Sequence, residues 1–464
     1  MTYDEAKQLL SANDQAQVLA FWDRLDESQR ASLLDQVAAF DFKALAQMRD
    51  LLAHPPAAAA AGAMAPAPVA EMSAAEKAAA AKVGEEALRA GKVGAILVAG
   101  GQGSRLGYEG PKGCYPVGPV SDAPLFYFHA RKILGLEKTY GTQVPFYVMT
   151  SPMNNGPTKE FFEKNDYFGL DRSRVFFFSQ SMWPALTGEG KIILDRPDHV
   201  FLGPDGHGGM LAALERTGCL ADMEKRGLES IFYFQVDNPM VEVCDPAFLG
   251  AHIGAGSDYS VKVCAKRDWK EGLGMVVVRD GKTQIVEYSD PVFSDELKQQ
   301  LGPDGRLRFL FGSVAIHIFS VAFLRRETDA GLPLHIAFKK VPYCDETGAT
   351  VKPETPNAYK FEKFIFDALC DARAVANVAF DRAEEFSPVK NKEGNDSPAT
   401  CRRDLSDKWG RWLEACGVAV PRDAEGHTLA KIEIDPAFAL SAAQLKERLA
   451  GRTVDASRDL RLAD

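Results

Sequence analysis

Apolar and polar residues alternate in three different ways along this chain. Over residues 1–52, Leu9, Leu10, Val18, Leu19, Phe21 and Trp22 recur at near-helical spacing, and Leu33, Leu34, Val37 and Phe40 form a second such set. This predicts an N-terminal helical region. Residues 53–72 are rich in Ala and Pro, with prolines at 55, 56, 66 and 68. Proline lacks a backbone donor and blocks helix propagation, so this stretch reads as a linker. A helix is predicted over Ala74–Ala90, with Ser73 as cap and Glu76 three residues on.

From Gly94 the apolar runs become short: Ala95–Ala99, Phe146–Thr150, Val175–Ser179, Ile231–Val236 and Ser260–Cys264. Helical patterns over Phe126–Leu134 and Pro157–Lys164 separate the early ones. Such alternation predicts an α/β fold with a mixed, largely parallel sheet flanked by helices. Met275–Val278 and Gln284–Tyr288 flank the turn signal Asp280-Gly281. A strand over Gly312–Phe319 and a helix over Lys360–Leu369 extend the same domain, which is assigned to residues 73–390. Residues 391–464 open on a polar loop and mix helices with short strands, as a small C-terminal lobe would.

Length and composition narrow the functional class. With 464 residues, 46% of them hydrophobic, the chain can build a large core. Its formal charge of -10, without a basic run, argues against nucleic acid or an anionic membrane as partner. The eight cysteines form no Cys-x-x-Cys pair, which fits a reducing compartment. No secretory signal and no membrane-spanning run is visible, so a cytoplasmic location is expected.

The chemistry concentrates in Ile96–Gly113. A short apolar strand breaks into a loop carrying Gly100, Gly101 and Gly103, then Arg105, then Lys112. Bare glycine backbone can cradle phosphates. Two cations can neutralise charge that develops during phosphoryl chemistry. Lys112-Gly113-Cys114 fails the Gly-Lys-Ser/Thr test of a Walker loop, and Leu106 stands where a dinucleotide fingerprint needs its third glycine. Lys112 alone is equally readable as a solvated surface lysine. Asp237 ends the apolar run Ile231–Val236, where a carboxylate can ligate Mg²⁺ or cap a turn before Pro239. Gly203–Gly209 is a second glycine-rich loop, opening a helix at Met210–Glu215. Gln180 offers an amide that can read both a donor and an acceptor.

The pattern Gly-Gly-x-Gly-Ser-Arg-Leu-Gly…Pro-Lys resembles the signature of the UDP-sugar pyrophosphorylase (uridylyltransferase) family, and most of all its UDP-N-acetylhexosamine branch. Further blocks resemble that family in order: Pro204–Gly209, Val236-Asp-Asn238, Val286–Ser289, Lys360–Asp367 and Glu385–Asn391. The likeness runs from about Val93 to about Thr400. It implies a glycosyltransferase-A-like, nucleotide-binding sheet that joins UTP to a sugar 1-phosphate with Mg²⁺ as cofactor. It implies catalytic roles for Arg105 and Lys112, and nucleotide contacts from Gly100, Gly101, Gly103, Gln180, Gly206, His207 and Gly208. It further implies sugar or phosphate contacts from Gly274, Glu287, Ser313, Lys360 and Lys390, and a metal ligand in Asp237.

Two positions depart from the N-acetylhexosamine pattern. His207 replaces its usual Asn, as in the UDP-glucose branch, and Ser313 replaces an acetamide-contacting Asn. The expected sugar is N-acetylglucosamine 1-phosphate; glucose 1-phosphate or relaxed specificity is the alternative. A non-catalytic nucleotide-sugar-binding protein is a remoter one.

Overall fold

The computed structural model describes residues 1–55 and 64–464. Part of the expected Ala/Pro linker therefore lies outside the described residues. The chain forms two compact units, and neither is a single stretch of sequence. One comprises Met1–Ala61, Gln180–Met210 and Gly331–Ile365; the other comprises Gly62–Ser179, Leu211–Ala330 and Phe366–Asp464.

The larger unit is built on a ten-stranded sheet. Its labelled strands are β1 (Val93–Val98), β2 (Phe146–Thr150), β3 (Val175–Ser179), β4 (Ser230–Gln235), β5 (Tyr259–Ala265), β6 (Gly274–Arg279), β7 (Lys282–Val286), β8 (Phe311–Ser320) and β9 (Val375–Ala379). Strands β4, β1, β2 and β3 run parallel in that spatial order. β8 pairs antiparallel with β4, β5 and β6, and β9 lies parallel to β5. The central strands are almost wholly buried, which suits their unbroken apolar runs. Helices α1 (Ala74–Arg89), α2 (Leu125–Tyr140), α3 (Asn155–Lys164), α4 (Pro246–Gly254) and α5 (Pro398–Ala415) belong to this unit. The capping box expected at Ser73 and Glu76 starts α1.

Asp280 and Gly281 both take positive φ, +51° and +74°, and close the β6–β7 hairpin. This is the backbone that a tight hairpin turn requires. β8 carries a bulge: Lys262 of β5 faces Ile316 whereas Val263 faces Ser313. Ala315 absorbs the extra length at φ +58°. Residues 391–464 share the sheet's core, since Leu405, Trp409, Ile432 and Phe438 are buried in one cluster with Phe128 and Phe234. Arg131 of α2 grips Asp435 at 2.6 Å.

In the smaller unit, helices Tyr3–Ala12, Glu27–Ala38 and Phe42–Ala53 pack Leu10, Leu33, Val37, Leu45 and Met48 against Leu186, Ile192, Leu194, Val200 and Phe361. Gln15 is fully buried and bonds both to the Gly190 carbonyl (2.9 Å) and from the Ile192 N–H (2.8 Å).

One element differs from expectation. Lys360 does not start a helix: Ala358–Glu362 is a strand, antiparallel to His335–Lys339, and a 3-10 turn Ile365–Asp371 follows. Ala358 and Phe361 are buried in this unit's apolar clusters. The pairing with His335–Lys339 satisfies the backbone that a helix would otherwise have satisfied internally.

Candidate active site

The glycine loop leaves the carboxyl end of β1, where open α/β sheets bind ligands. It folds back on itself. The Gly103 N–H donates to Gly110 O (3.0 Å), and the Lys112 N–H donates to Gly101 O (3.1 Å). Lys112 thereby returns to the loop's start, while Arg105 stays exposed on the short turn Ser104–Leu106. A Cβ on Gly101 would meet no atom within 4 Å; one on Gly113 would lie 2.2 Å from the Phe126 ring. Gly113 is thus demanded by packing, and Gly101 borders open space. Asn154 pins the loop through bonds to Ala99 O (2.9 Å) and Gly101 O (3.3 Å).

β4 lies beside β1 in register, with Val98 opposite Gln235, and the Val236 N–H donates to Val98 O at 3.0 Å. Asp237 therefore emerges next to the glycine loop. Its Oδ2 accepts from Lys112 Nζ at 3.4 Å, and the two side chains are 15% and 17% exposed. The turn carrying Asp237 is held from below. His129 Nε2 donates to Val236 O at 3.0 Å, and Lys132 donates to Pro239 O and to Val241 O (2.7 Å for the latter). Burial drives the His129 pKa down to about 3, so its ring is neutral and the bond needs the Nε2–H tautomer. Asn238, also buried, donates to Glu385 O (2.7 Å) and accepts from the Ser387 N–H (3.2 Å). The Val389 N–H donates to Asp237 O at 2.8 Å, next to Lys390.

Three expected sugar-block residues meet in the same unit. Gly274 and Ser313 are cross-strand partners. A Cβ on Gly274 would sit 3.7 Å from Glu287 Oε1. The Ser313 hydroxyl accepts from the Ala315 N–H at 3.3 Å, within the bulge. Lys390 lies with its ammonium 5.6 Å from the Phe386 ring centroid.

Gln180, Gly206, His207, Gly208 and Lys360 fall in the smaller unit. There the segments beginning at Gln180, Leu202 and Ala358 are laced together. Asp205 N–H donates to Ser181 O (3.1 Å), Lys363 N–H to Asp205 O (2.8 Å) and Gly208 N–H to Lys363 O (2.8 Å). Gly206 has φ +82°, and a Cβ on Gly206 or Gly208 would come within 2.4 or 2.6 Å of Lys363 backbone atoms. The close approach that these glycines permit is made by the chain itself. His207 Nδ1 accepts from the Ile365 N–H (3.1 Å), and its ring stacks on Phe364. Burial, then the His335 ring, lower its pKa. The Lys360 ammonium lies 4.7 Å from the Phe201 ring centroid and beside Gly203, and burial lowers its pKa.

The sequence pattern assigns no role to Asn154, Asn238, His129 or Lys132. Only Asn238 had a local signal, its place in Val-Asp-Asn; the others act on backbone atoms distant in the chain, which side-chain patterns do not reveal.

A family model described as UTP–glucose-1-phosphate uridylyltransferase matches residues 59–395. The UDP-N-acetylhexosamine pyrophosphorylase-like protein 1 of Mus musculus is 38% identical, over 94% of this chain and 93% of that protein. The UDP-N-acetylglucosamine pyrophosphorylase of Saccharomyces cerevisiae is 36% identical over 73% of each. The crystal structure of the uridine diphosphate N-acetylglucosamine pyrophosphorylase of Trypanosoma brucei, with an inhibitor, superposes with a TM-score of 0.80 at 28% identity, over 97% of this chain and 95% of that one. A UDP-glucose phosphorylase of the same organism shares the fold, with a TM-score of 0.62 at 17% identity over 91% and 87%. A family match over residues 59–395, with relatives similar over nearly the whole chain, identifies this protein as a member of the UTP–glucose-1-phosphate uridylyltransferase family.

Proposed function

We propose that this protein transfers the uridylyl group of UTP to a sugar 1-phosphate, with N-acetylglucosamine 1-phosphate preferred. A phosphate oxygen of the sugar 1-phosphate forms a bond to the α-phosphorus. The bond from that phosphorus to the bridging oxygen breaks, and pyrophosphate leaves with the electron pair. Such a reaction needs in-line positioning and charge neutralisation more than covalent help. The observation that carries the reading is the meeting of Lys112 and Asp237 beside an open glycine loop.

Lys112 and Arg105 supply the positive charge that the triphosphate requires. The glycine backbone of Gly100, Gly101 and Gly103 accommodates its oxygens. Asp237 suits Mg²⁺, which favours one or two carboxylates together with substrate phosphates. The Lys112–Asp237 contact is long for an ion pair, so a cation and a polyanion can replace it with two better-matched pairs. Bound there, Mg²⁺ would neutralise charge on the phosphates. Gln180 is assigned to the uracil, Gly274, Glu287 and Ser313 to the hexose, and Lys360 and Lys390 to phosphate oxygens, while Gly206 and Gly208 admit the Lys363 backbone that shapes the loop.

The relatives named for N-acetylated sugars support the sugar assignment. Ser313, whose hydroxyl already serves the bulge, supports some use of glucose 1-phosphate. The test is pyrophosphate release from UTP with a panel of sugar 1-phosphates, with Mg²⁺ and with chelator. Release with N-acetylglucosamine 1-phosphate that chelator abolishes is expected. No release with any hexose or N-acetylhexosamine 1-phosphate would overturn the reading.

A further inference from the structure

Beneath the Asp237 turn lies a buried group of charges that the reaction above does not use. Lys262 of β5 is 1% exposed. Its ammonium contacts Asp245 at 2.7 Å and both carboxylate oxygens of Glu385, Oε2 at 2.6 Å. A third carboxylate, Glu242, lies within 4.8 Å of the other two. Three such groups resemble a metal site, but the Lys262 ammonium stands where a cation would.

Burying these charges is expensive. The desolvation of each ion costs several kcal/mol, and an apolar cluster of equal volume often does as well or better. Stability alone is thus a weak reason for Lys262. Its connections suggest a better one. Glu385 begins the segment that runs alongside Asp237 and Asn238. Its carbonyl takes the Asn238 amide, Ser387 returns a bond to Asn238, and Val389 bonds the Asp237 carbonyl. Its carboxylate also accepts from the Glu242 N–H at 3.4 Å. Lys262 therefore ties β5 at once to the chain after Asp237, through Asp245, and to the chain leading into Lys390, through Glu385. Lys408 of α5 clamps the same two segments through Glu384 O (2.6 Å) and Met240 O (3.4 Å).

We propose that Lys262 is a positioning residue for uridylyl transfer: by clamping Glu385 and Asp245 it sets the register between the Asp237 turn and the segment bearing Lys390. It touches no substrate. The inference rests on the function proposed above, so its test carries a readout independent of turnover. Lys262→Met leaves the buried Glu385 and the half-buried Asp245 and Glu242 without their cation and is expected to unfold, so Lys262→Met/Glu385→Gln and Glu385→Gln, which reduce the excess charge, carry the test. In the folded variants, the Ser387 and Val389 amides should exchange with deuterium at least tenfold faster than in the wild type, with β1 amides unchanged. kcat should fall at least tenfold in the double variant, with KM for UTP within threefold. Wild-type exchange at Ser387 and Val389 in folded Glu385→Gln and double variants would overturn the proposal. So would wild-type kcat in the double variant. An inactive wild-type protein would instead count against the function, while the exchange comparison still decides the role of Lys262.

Discussion

Lys112 and Asp237 are 125 residues apart in the chain, yet Lys112 Nζ lies 3.4 Å from Asp237 Oδ2. Each belongs to a loop at the carboxyl end of a parallel strand, and the β1–β4 register brings the two loops side by side. The pair is partly exposed, so its own contribution to stability is small, about 0–1 kcal/mol. In the reaction proposed above, its role is to present opposed charge to the nucleotide and the metal.

Replacing Lys112 by Ala is expected to lower kcat about 10²–10³-fold, the usual loss when one group acting on transition-state charge is removed. The melting temperature should change little. Asp237→Ala should cause a comparable fall and raise the Mg²⁺ concentration needed for half-maximal rate. Steady-state kinetics beside thermal melts check both, and an unchanged rate in Lys112→Ala would return that lysine to the surface.

Gly113→Ala should destabilise the protein by about 1–3 kcal/mol, because the new methyl would enter the fully buried Phe126 ring. Denaturant titration measures the loss. The adjacent Lys112 would shift with the backbone, so activity should fall as well. A fully stable and active variant would mean that α2 yields at that contact.

Ser313→Asn tests the sugar. An amide in place of a hydroxyl gives an acetamide one better-matched partner, worth roughly 0.5–1.5 kcal/mol. The ratio of kcat/KM for N-acetylglucosamine 1-phosphate over glucose 1-phosphate should rise about two- to tenfold. A wild-type preference for glucose 1-phosphate above about a hundredfold would make His207 the better guide to the branch.

Stability should decline in acid. His129 and His252 are buried, and burial lowers their pKa from 6.5 to about 3 and about 4. Below pH 6.5 the unfolded chain takes up protons that the native rings refuse. Stability from these rings is therefore complete above pH 6.5 and lost as pH falls toward 4, at about 1.4 kcal/mol per pH unit for each ring. Glu385 acts in the opposite sense. Burial raises its pKa above the usual 4.5, against the pull of Lys262, so as pH falls toward that value its native form binds the extra proton first and stability grows. His207, whose pKa burial also lowers to about 4, adds to the loss, so the rings outweigh Glu385 and stability should fall from pH 6.5 to 4.5. Urea midpoints across that range would show it, and the loss should shrink in His252→Gln. A midpoint that stays level or rises toward pH 4.5 would contradict this balance.

Much of the sheet was legible from local pattern. The runs Phe146–Thr150 and Val175–Ser179 are strands with those very bounds, because buried parallel strands need continuous apolar side chains. The Asp280-Gly281 turn was legible because few residues accept its positive φ. Lys360 was not: Phe361, Phe364 and Ile365 suit either a helix or a strand, and the choice depended on pairing with His335–Lys339, about twenty residues earlier in the chain.

By itself, the sequence determined the central strands and flanking helices of the larger unit, the glycine loop with its two cations, and the family likeness, since each is written in neighbouring residues. The tertiary structure alone decided which residues meet. It brought Lys112 to Asp237, matched Gly274 with Ser313, filled the second glycine loop with the chain's own Lys363 backbone, and enclosed Lys262 among three carboxylates. These contacts come from strand register and from hydrogen bonds to backbone atoms. Both are long-range, and neither leaves a periodic trace in side-chain type.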